Sequence, residues 1–234
     1  MQKSLSPLLL LLFLQGFSNP AIAQVDEDQL GAWYMFMWTA DPEIGAGFGL
    51  QGDVQHRNWD AYGDLEQLLI RGGLTWSPQD SNLKFTLGLA HISSGAFGPS
   101  RDKTREKRLY QELLIPQRVS DRFYLTHRLR LEQRDVDNQD FRNRFRYSFA
   151  LNYPLNQTTL SRGALYLSFY NELFLNLEQD VGNNRRVDYF DRNRFYAAIG
   201  YSLSDFSRLQ FGYMEQTLDE ISKGQLQFNW LHSF

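Results

Sequence analysis

The sequence predicts an all-β protein, a transmembrane antiparallel up-and-down β-barrel that follows a cleaved signal peptide. Three observations predict this fold: a short apolar run near the N-terminus, side chains that alternate between apolar and polar along the remaining chain, and an aromatic content of 15%. A hydrophobic fraction of 42% and a charged fraction of 22% exclude a disordered chain.

Charge and cysteine content exclude several classes of function. Lys and Arg number 24 against 27 Asp and Glu, a net charge of -3, so bulk positive charge does not indicate a nucleic-acid partner. The chain contains no cysteine, which excludes disulfides, thiolate metal sites and cysteine nucleophiles.

The N-terminal segment has the three parts of a secretory signal peptide. Lys3 supplies the positive part, residues 8–13 form an unbroken apolar run, and Ala21-Ile22-Ala23 fits the small-x-small rule for signal peptidase. The run is too short for a transmembrane helix, which needs about 20 residues. We therefore expect a signal peptide at 1–23, export through the Sec pathway, and a barrel domain at 24–234.

Alternation with a period of two is clearest in residues 141–153. One parity is almost entirely apolar or aromatic there, whereas the other begins with three basic residues, Arg142, Arg144 and Arg146. A helix would mix the two sets, but a strand places them on opposite faces. The pattern therefore predicts a strand with one apolar face and one charged face.

Eleven such segments follow one another, with polar turns or longer loops near 94–106 and 178–190 between them. Single-chain bacterial barrels normally have an even number of strands. The first segment also starts on the wrong side for a barrel whose C-terminus is periplasmic. We therefore predict twelve strands, with ten as the alternative. The segments lie near 30–39, 46–56, 64–76, 82–93, 107–117, 121–134, 140–153, 163–177, 191–203, 207–217 and 225–234.

The direction of the apolar face decides between a membrane barrel and a soluble one, because a soluble barrel turns its apolar face inward. Strands that are numerous and long favour the membrane arrangement. Aromatic residues near the strand ends favour it too, since they form girdles at membrane interfaces. These residues are Trp76, Tyr153, Tyr201, Tyr213 and Trp230.

The last strand ends in an aromatic residue at the carboxyl terminus. Leu226, Phe228, Trp230, His232 and Phe234 share one parity. This pattern resembles the C-terminal signal by which the barrel-assembly machinery recognises outer-membrane proteins, although His232 stands where an aromatic residue is usual. The resemblance implies that Trp230 and Phe234 are the assembly signal and that this machinery is a partner.

Four segments together resemble one bacterial family. They read HRLRLEQR at 127–134, FRNRFRY at 141–147, YNELF at 170–174 and RNRFYAAIGY at 192–201. The ordered set is similar to the domain of unknown function 2490 family, over essentially the whole mature chain. The resemblance implies an envelope protein with a β-barrel fold, and it supplies no activity.

If the apolar face meets lipid, the charged face lines the lumen, with nine cations to four anions. One interpretation is a structural charge network in which Glu132 and Glu172 bridge neighbouring guanidiniums. The other is an electropositive pore or pocket for a small anionic solute, because Arg binds carboxylate and phosphate in bidentate fashion. The lumen residues are Arg71, Arg128, Arg130, Arg134, Arg142, Arg144, Arg146, Arg192, Arg194, Asp53, Glu112, Glu132 and Glu172.

A different class of function comes from His91 and Ser93, which share the outward parity of the fourth strand. A histidine there can serve as general base for a serine nucleophile if a third group, here Glu66, orients the imidazole. The pair resembles the His-x-Ser element of outer-membrane phospholipases and lipid A deacylases. Ser94 follows Ser93 where those enzymes favour Asn. This resemblance makes a lipid esterase the alternative function.

No cofactor is expected, and no metal, because His56, His127 and His232 form no ligand motif. The leading interpretation is a porin-like protein without enzymatic activity in the Gram-negative outer membrane. It is either structural or a narrow pore that favours anions. Its expected partners are outer-membrane lipid and lipopolysaccharide, the barrel-assembly machinery and a small anionic solute.

Overall fold

The computed structural model describes residues 29–41, 47–219 and 221–234. The predicted signal peptide at 1–23 lies outside the described residues. Within these ranges the chain has no helix long and apolar enough to cross a membrane.

Eleven strands of the described residues form one closed barrel, so the predicted all-β barrel is confirmed. Each strand pairs with its neighbours in sequence, and those pairings are antiparallel. The strands are β1 (Gly31–Ala40), β2 (Phe48–Asn58), β3 (Leu65–Trp76), β4 (Lys84–Gly95), β5 (Lys103–Arg118), β6 (Tyr124–Val136), β7 (Arg142–Pro154), β8 (Leu165–Asn176), β9 (Phe190–Ser202), β10 (Ser207–Thr217) and β11 (Ser222–Ser233).

The barrel closes through a parallel pairing of β1 with β11, from Gly31 opposite Gln225 to Thr39 opposite Ser233. The prediction of twelve strands is wrong, as is the alternative of ten. Both assumed that closure must be antiparallel, which requires an even count. With eleven strands the first and last run in the same direction, and a parallel ladder satisfies their backbone groups without leaving an edge. The same closure explains why the first segment starts at the opposite end from the C-terminus.

The two ends of the barrel can be told apart by the connections they carry. We call the end with the start of β1 and the 13-residue connection 177–189 the loop end. We call the end with Phe234 the turn end. The loop predicted near 178–190 is therefore at the loop end, although the turn end also carries a ten-residue connection, 155–164.

Polar side chains point into the barrel and apolar ones point out. Arg144 is 3% exposed inside the barrel, whereas Leu89 on the outer face is 66% exposed. The burial pattern alternates in the same sense along β4 and β7. This is the reverse of a soluble barrel, whose apolar face forms the core.

Two glycines on the inner face make room for tyrosine rings on the neighbouring strand. Gly88 lies opposite Tyr110, and Gly200 lies opposite Tyr166. A Cβ atom at either glycine would overlap the facing ring. Both rings are buried, so each glycine lets an aromatic side chain lie flat against the inner wall.

We expect Gly88→Ala to destabilise the barrel by about 1–3 kcal/mol, because the added methyl group displaces the Tyr110 ring. Gly72→Ala is the matched control, since a Cβ there has no heavy atom within 4 Å among the described residues. The midpoint of heat denaturation, followed by circular dichroism of the β-sheet, should fall only for Gly88→Ala. Equal midpoints for the two variants would contradict this packing.

Candidate functional site: the arginine-lined interior

Every arginine and acid that the sequence places in the lumen lies on the inward face of its strand. The strands β5 to β9 carry most of them, and their side chains meet across the barrel. The inward residues are Arg71, Arg128, Arg130, Arg134, Arg142, Arg144, Arg146, Arg192, Arg194, Asp53, Glu112, Glu132 and Glu172.

Glu132 is the centre of this charge network, and its side chain is only 1% exposed. Its carboxylate accepts hydrogen bonds from Arg144 Nη2 at 2.7 Å and from Arg146 Nη1 at 2.6 Å. Nη1 atoms of Arg108 and Arg130 lie 3.7 and 3.8 Å from its Oε1 atom. One carboxylate therefore holds guanidiniums from three strands, which offsets the repulsion between them.

Two further acids extend the network toward the turn end. Glu172 Oε1 accepts from Arg146 Nη2 at 2.5 Å and from Arg128 Nη2 at 2.7 Å. Glu112 pairs with Arg130 across β5 and β6. The predicted bridging of guanidiniums by Glu132 and Glu172 therefore matches the contacts in the barrel.

Glu106 forms a second group at the loop end, which sequence reasoning missed. It accepts two hydrogen bonds from Arg108, at 2.6 and 2.8 Å, and two from Arg134, at 2.5 and 3.1 Å. It was missed because β5 was predicted to begin at 107 and in fact begins at Lys103. Arg108 shares the parity of Glu112, so the alternation alone could have identified it.

A β-bulge in β9 turns one more acid inward. Arg192 pairs with Phe174, but Phe190 pairs with the very next residue of β8, so Asp191 is the extra residue. Its carboxylate accepts from Arg144 Nη1 at 2.8 Å and from Arg192 Nε at 3.2 Å. A strict period of two assigns Asp191 to the outer face, so no sequence signal identified it.

A second bulge, in β3, does the same to Glu66. Arg57 pairs with Gln67, and the next residue of β2 pairs with Leu65, so Glu66 has no partner of its own. It turns inward and accepts a hydrogen bond from Trp33 Nε1 at 2.9 Å.

The alternative site at His91 and Ser93 loses its third member for this reason. Both residues lie on the outer face as expected, but Ile70 and Lys107 are the residues opposite His91. The expectation that Glu66 lies beside His91 is wrong. Among the described residues the His91 side chain makes no hydrogen bond or ion pair, so no observation favours an esterase.

Four interior arginines make no ion pair with any described residue: Arg57, Arg142, Arg194 and Arg208. Arg57 and Arg194 instead lie against the ring of Trp33, with Cζ atoms 3.8 and 4.9 Å from its centroid. The Phe174 ring likewise has Arg194 Cζ at 4.7 Å, and three more guanidiniums lie within 6 Å of it. Aromatic faces therefore stabilise cations that the carboxylates do not reach.

Two cavities lie side by side within the described part of the barrel. The larger, of about 410 Å³, lies toward the loop end and is lined by ten arginines and two glutamates. The smaller, of about 280 Å³, lies toward the turn end. Four residues line both cavities, and we call this set at their shared boundary the septum: Met37, Arg71, Arg128 and Leu231.

Trp230 and Phe234 lie on the outside of the barrel toward the turn end. Trp230 Nε1 donates to Ser207 Oγ at 2.8 Å, and the backbone amide of Phe234 donates to the carbonyl of Thr39 at 2.9 Å. Their role as an assembly signal stays a prediction. In the described part of the chain no group of three His, Asp or Glu side chains is placed to hold a metal ion.

We expect Glu132→Gln to destabilise the barrel by about 3–5 kcal/mol, because Arg144 and Arg146 lose their shared buried counter-charge. Glu215→Gln on the outer face is the control for removing one negative charge. Heat denaturation should occur at a clearly lower temperature for Glu132→Gln than for the control. A midpoint equal to that of the unmodified protein would show that this network does not hold the fold.

Comparisons with known proteins support the resemblance found in the sequence. A family model described as Protein of unknown function (DUF2490) matches residues 30–227, which covers β1 to β10 and part of β11. Searches of curated proteins and of solved structures each gave no match. The matched region contains both cavities' arginines and all of the paired carboxylates. The chain therefore belongs to the DUF2490 family.

Proposed function

We propose that the protein is an outer-membrane β-barrel of the Gram-negative envelope whose lumen is a narrow passage that favours anions. The outer face supports the location. Along β3 the outward side chains run from Leu68 through Ile70 and Leu74 to Trp76. At about 3.3 Å per residue and a tilt of about 40°, this stretch spans roughly 20 Å, close to the apolar band of membrane barrels.

Paired aromatic residues support a membrane interface near the turn end. Trp76 stacks on Phe85 with ring centroids 5.7 Å apart, and Phe123 packs on Tyr153 at 5.0 Å. Both pairs lie on the outer face at the edge of the apolar band. Aromatic girdles occupy this position in transmembrane barrels, because Trp and Tyr combine an apolar ring with a polar N–H or O–H group.

Cations on the outer face of β5 support a second interface near the loop end. Three exposed cations lie between the apolar Leu109 and the loop end: Lys103, Arg105 and Lys107. Phosphate groups of lipid or lipopolysaccharide lie at this depth in a bilayer. The outer face of β5 thus changes from apolar to basic toward the loop end, as expected where a membrane barrel leaves the hydrocarbon layer.

Preference for anions rests on one observation, the excess of interior guanidiniums over carboxylates. The six interior acids in ion pairs already have arginine partners, yet four interior arginines have no ion pair among the described residues. The septum itself contains Arg71 and Arg128. A narrow lumen with this charge attracts anions and repels cations. The paired arginines have a structural role as well, because their carboxylates fix the guanidiniums against the wall.

Conductance across a planar bilayer tests this function. We expect small current steps whose reversal potential, measured in a salt gradient, indicates anion preference. Met37→Ala with Leu231→Ala should increase the current steps, because smaller side chains at the septum widen the passage there. Arg71→Gln should weaken the anion preference, because it removes one cation from the septum and leaves Asp53 without its ion-pair partner. Arg162→Gln, at an exposed turn residue, is the control for loss of one cation.

The outcomes separate clearly. Anion-selective steps in the unmodified protein, or only in the widened variant, support an anion-favouring lumen with the septum as its barrier. Cation preference, or no current from either protein, contradicts the proposal.

A further inference from the structure

The larger cavity is lined by three arginines, Arg57, Arg142 and Arg194, that make no ion pair with any described residue. We propose that this loop-end cavity is a binding site for a small organic anion, in which a carboxylate or phosphate group is joined to a flat apolar body. The anionic group binds at Arg57 and Arg194, and the body lies against Trp33 and its neighbours. Carboxylate and phosphate are both recognised by guanidinium groups, and the binding experiment distinguishes them.

Arg194 supplies free donors at this site. It is 7% exposed and lines the cavity, and its Nε atom donates to Gln216 Oε1 at 2.8 Å. Its two terminal nitrogens make no hydrogen bond with any described residue. A buried guanidinium with unused donors is costly unless an anion or water takes them.

Two neutral side chains fix the position of the Arg57 guanidinium. Its Nη1 atom donates to Gln67 Oε1 at 2.7 Å, and its Nη2 atom donates to Gln55 Oε1 at 2.5 Å. Trp33, which both guanidiniums contact, is fixed through its hydrogen bond to Glu66. The site is therefore rigid before any ligand binds, which reduces the entropy lost on binding.

The wall beside these arginines is apolar and aromatic. Trp33 packs with Tyr196 in a buried cluster, and Met35 and Tyr170 lie against that cluster. The rings of Tyr170 and Tyr196 are stacked with centroids 4.8 Å apart. A flat body can lie against this wall while its anionic group reaches the guanidiniums. A volume of about 410 Å³ is in the range that binds small organic ligands rather than a bare ion.

Arg142 stands between this site and the loop end. It is the first residue of β7, it is 7% exposed, and its Nε atom has no hydrogen-bond partner among the described residues. An unpaired cation at this position attracts an anion that enters from the loop end. Arg142 therefore extends the positive charge of the site toward the loop end.

Binding in detergent tests the site. Isothermal calorimetry with benzoate, phenyl phosphate, acetate, inorganic phosphate and uncharged benzamide uses the folded barrel without a membrane. We expect benzoate or phenyl phosphate to bind at least about tenfold more tightly than acetate or inorganic phosphate, and benzamide not to bind. The better of the first two ligands identifies carboxylate or phosphate as the anionic group.

Variants assign the binding to the named residues. Arg194→Gln and Arg57→Gln should each weaken benzoate or phenyl phosphate binding about tenfold or more. Trp33→Leu should reduce the advantage of these ligands over acetate and phosphate. Arg208→Gln is the matched control, because Arg208 lines the turn-end cavity and should leave the affinity within about twofold. Each variant is first shown by circular dichroism to keep the β-sheet of the unmodified protein.

Benzamide binding as tightly as benzoate, or equal weakening by Arg208→Gln and Arg194→Gln, would overturn the site. The inference rests on the proposed function only in that both use the cationic lumen. Binding that depends on the named residues as expected, without bilayer current, would support the binding site and contradict the passage. Anion-selective current without binding would support the passage and contradict the binding site.

Discussion

The structure depends on the pairing of buried guanidiniums with buried carboxylates across the inner wall. A barrel can turn its charged face inward only if those charges neutralise one another, because unpaired buried charge costs several kcal/mol per ion. Glu132 holds Arg144 and Arg146 together, and Glu106 holds two arginines at the loop end. Because the charged side chains lie inside the barrel, the outer face consists mainly of apolar side chains.

The carboxylates do not neutralise all of the interior guanidiniums. The remaining positive charge allows the interior to attract and bind anions. The two bulges bring Asp191 and Glu66 inward, yet Arg194 still makes no ion pair with a described residue. Aromatic rings take the place of carboxylates at Trp33 and Phe174. Such rings stabilise a cation without cancelling its charge, so the cavity keeps a positive potential for an incoming anion.

The alternation of side chains predicted the faces of the strands, and with them the inward arginines of β6 and β7. It could not predict the parallel closure, because strand direction at the seam follows from the total count and not from any local pattern. It also missed Asp191, since a bulge breaks the period at one residue. Which acid pairs with which arginine depends on strand register, so the role of Glu132 as a shared partner emerged only from the structure.

The direction of the two faces of the barrel in a bilayer is the central claim, and spin labels test it most directly. The chain has no cysteine, so single labels can be placed at Tyr147, Ser148 and Phe149 of β7 in the protein reconstituted in vesicles. Labels at Tyr147 and Phe149 should be accessible to oxygen dissolved in lipid and shielded from a water-soluble nickel complex, whereas a label at Ser148 should not contact lipid. Labels at Tyr147 and Phe149 that react freely with the nickel complex would contradict the account.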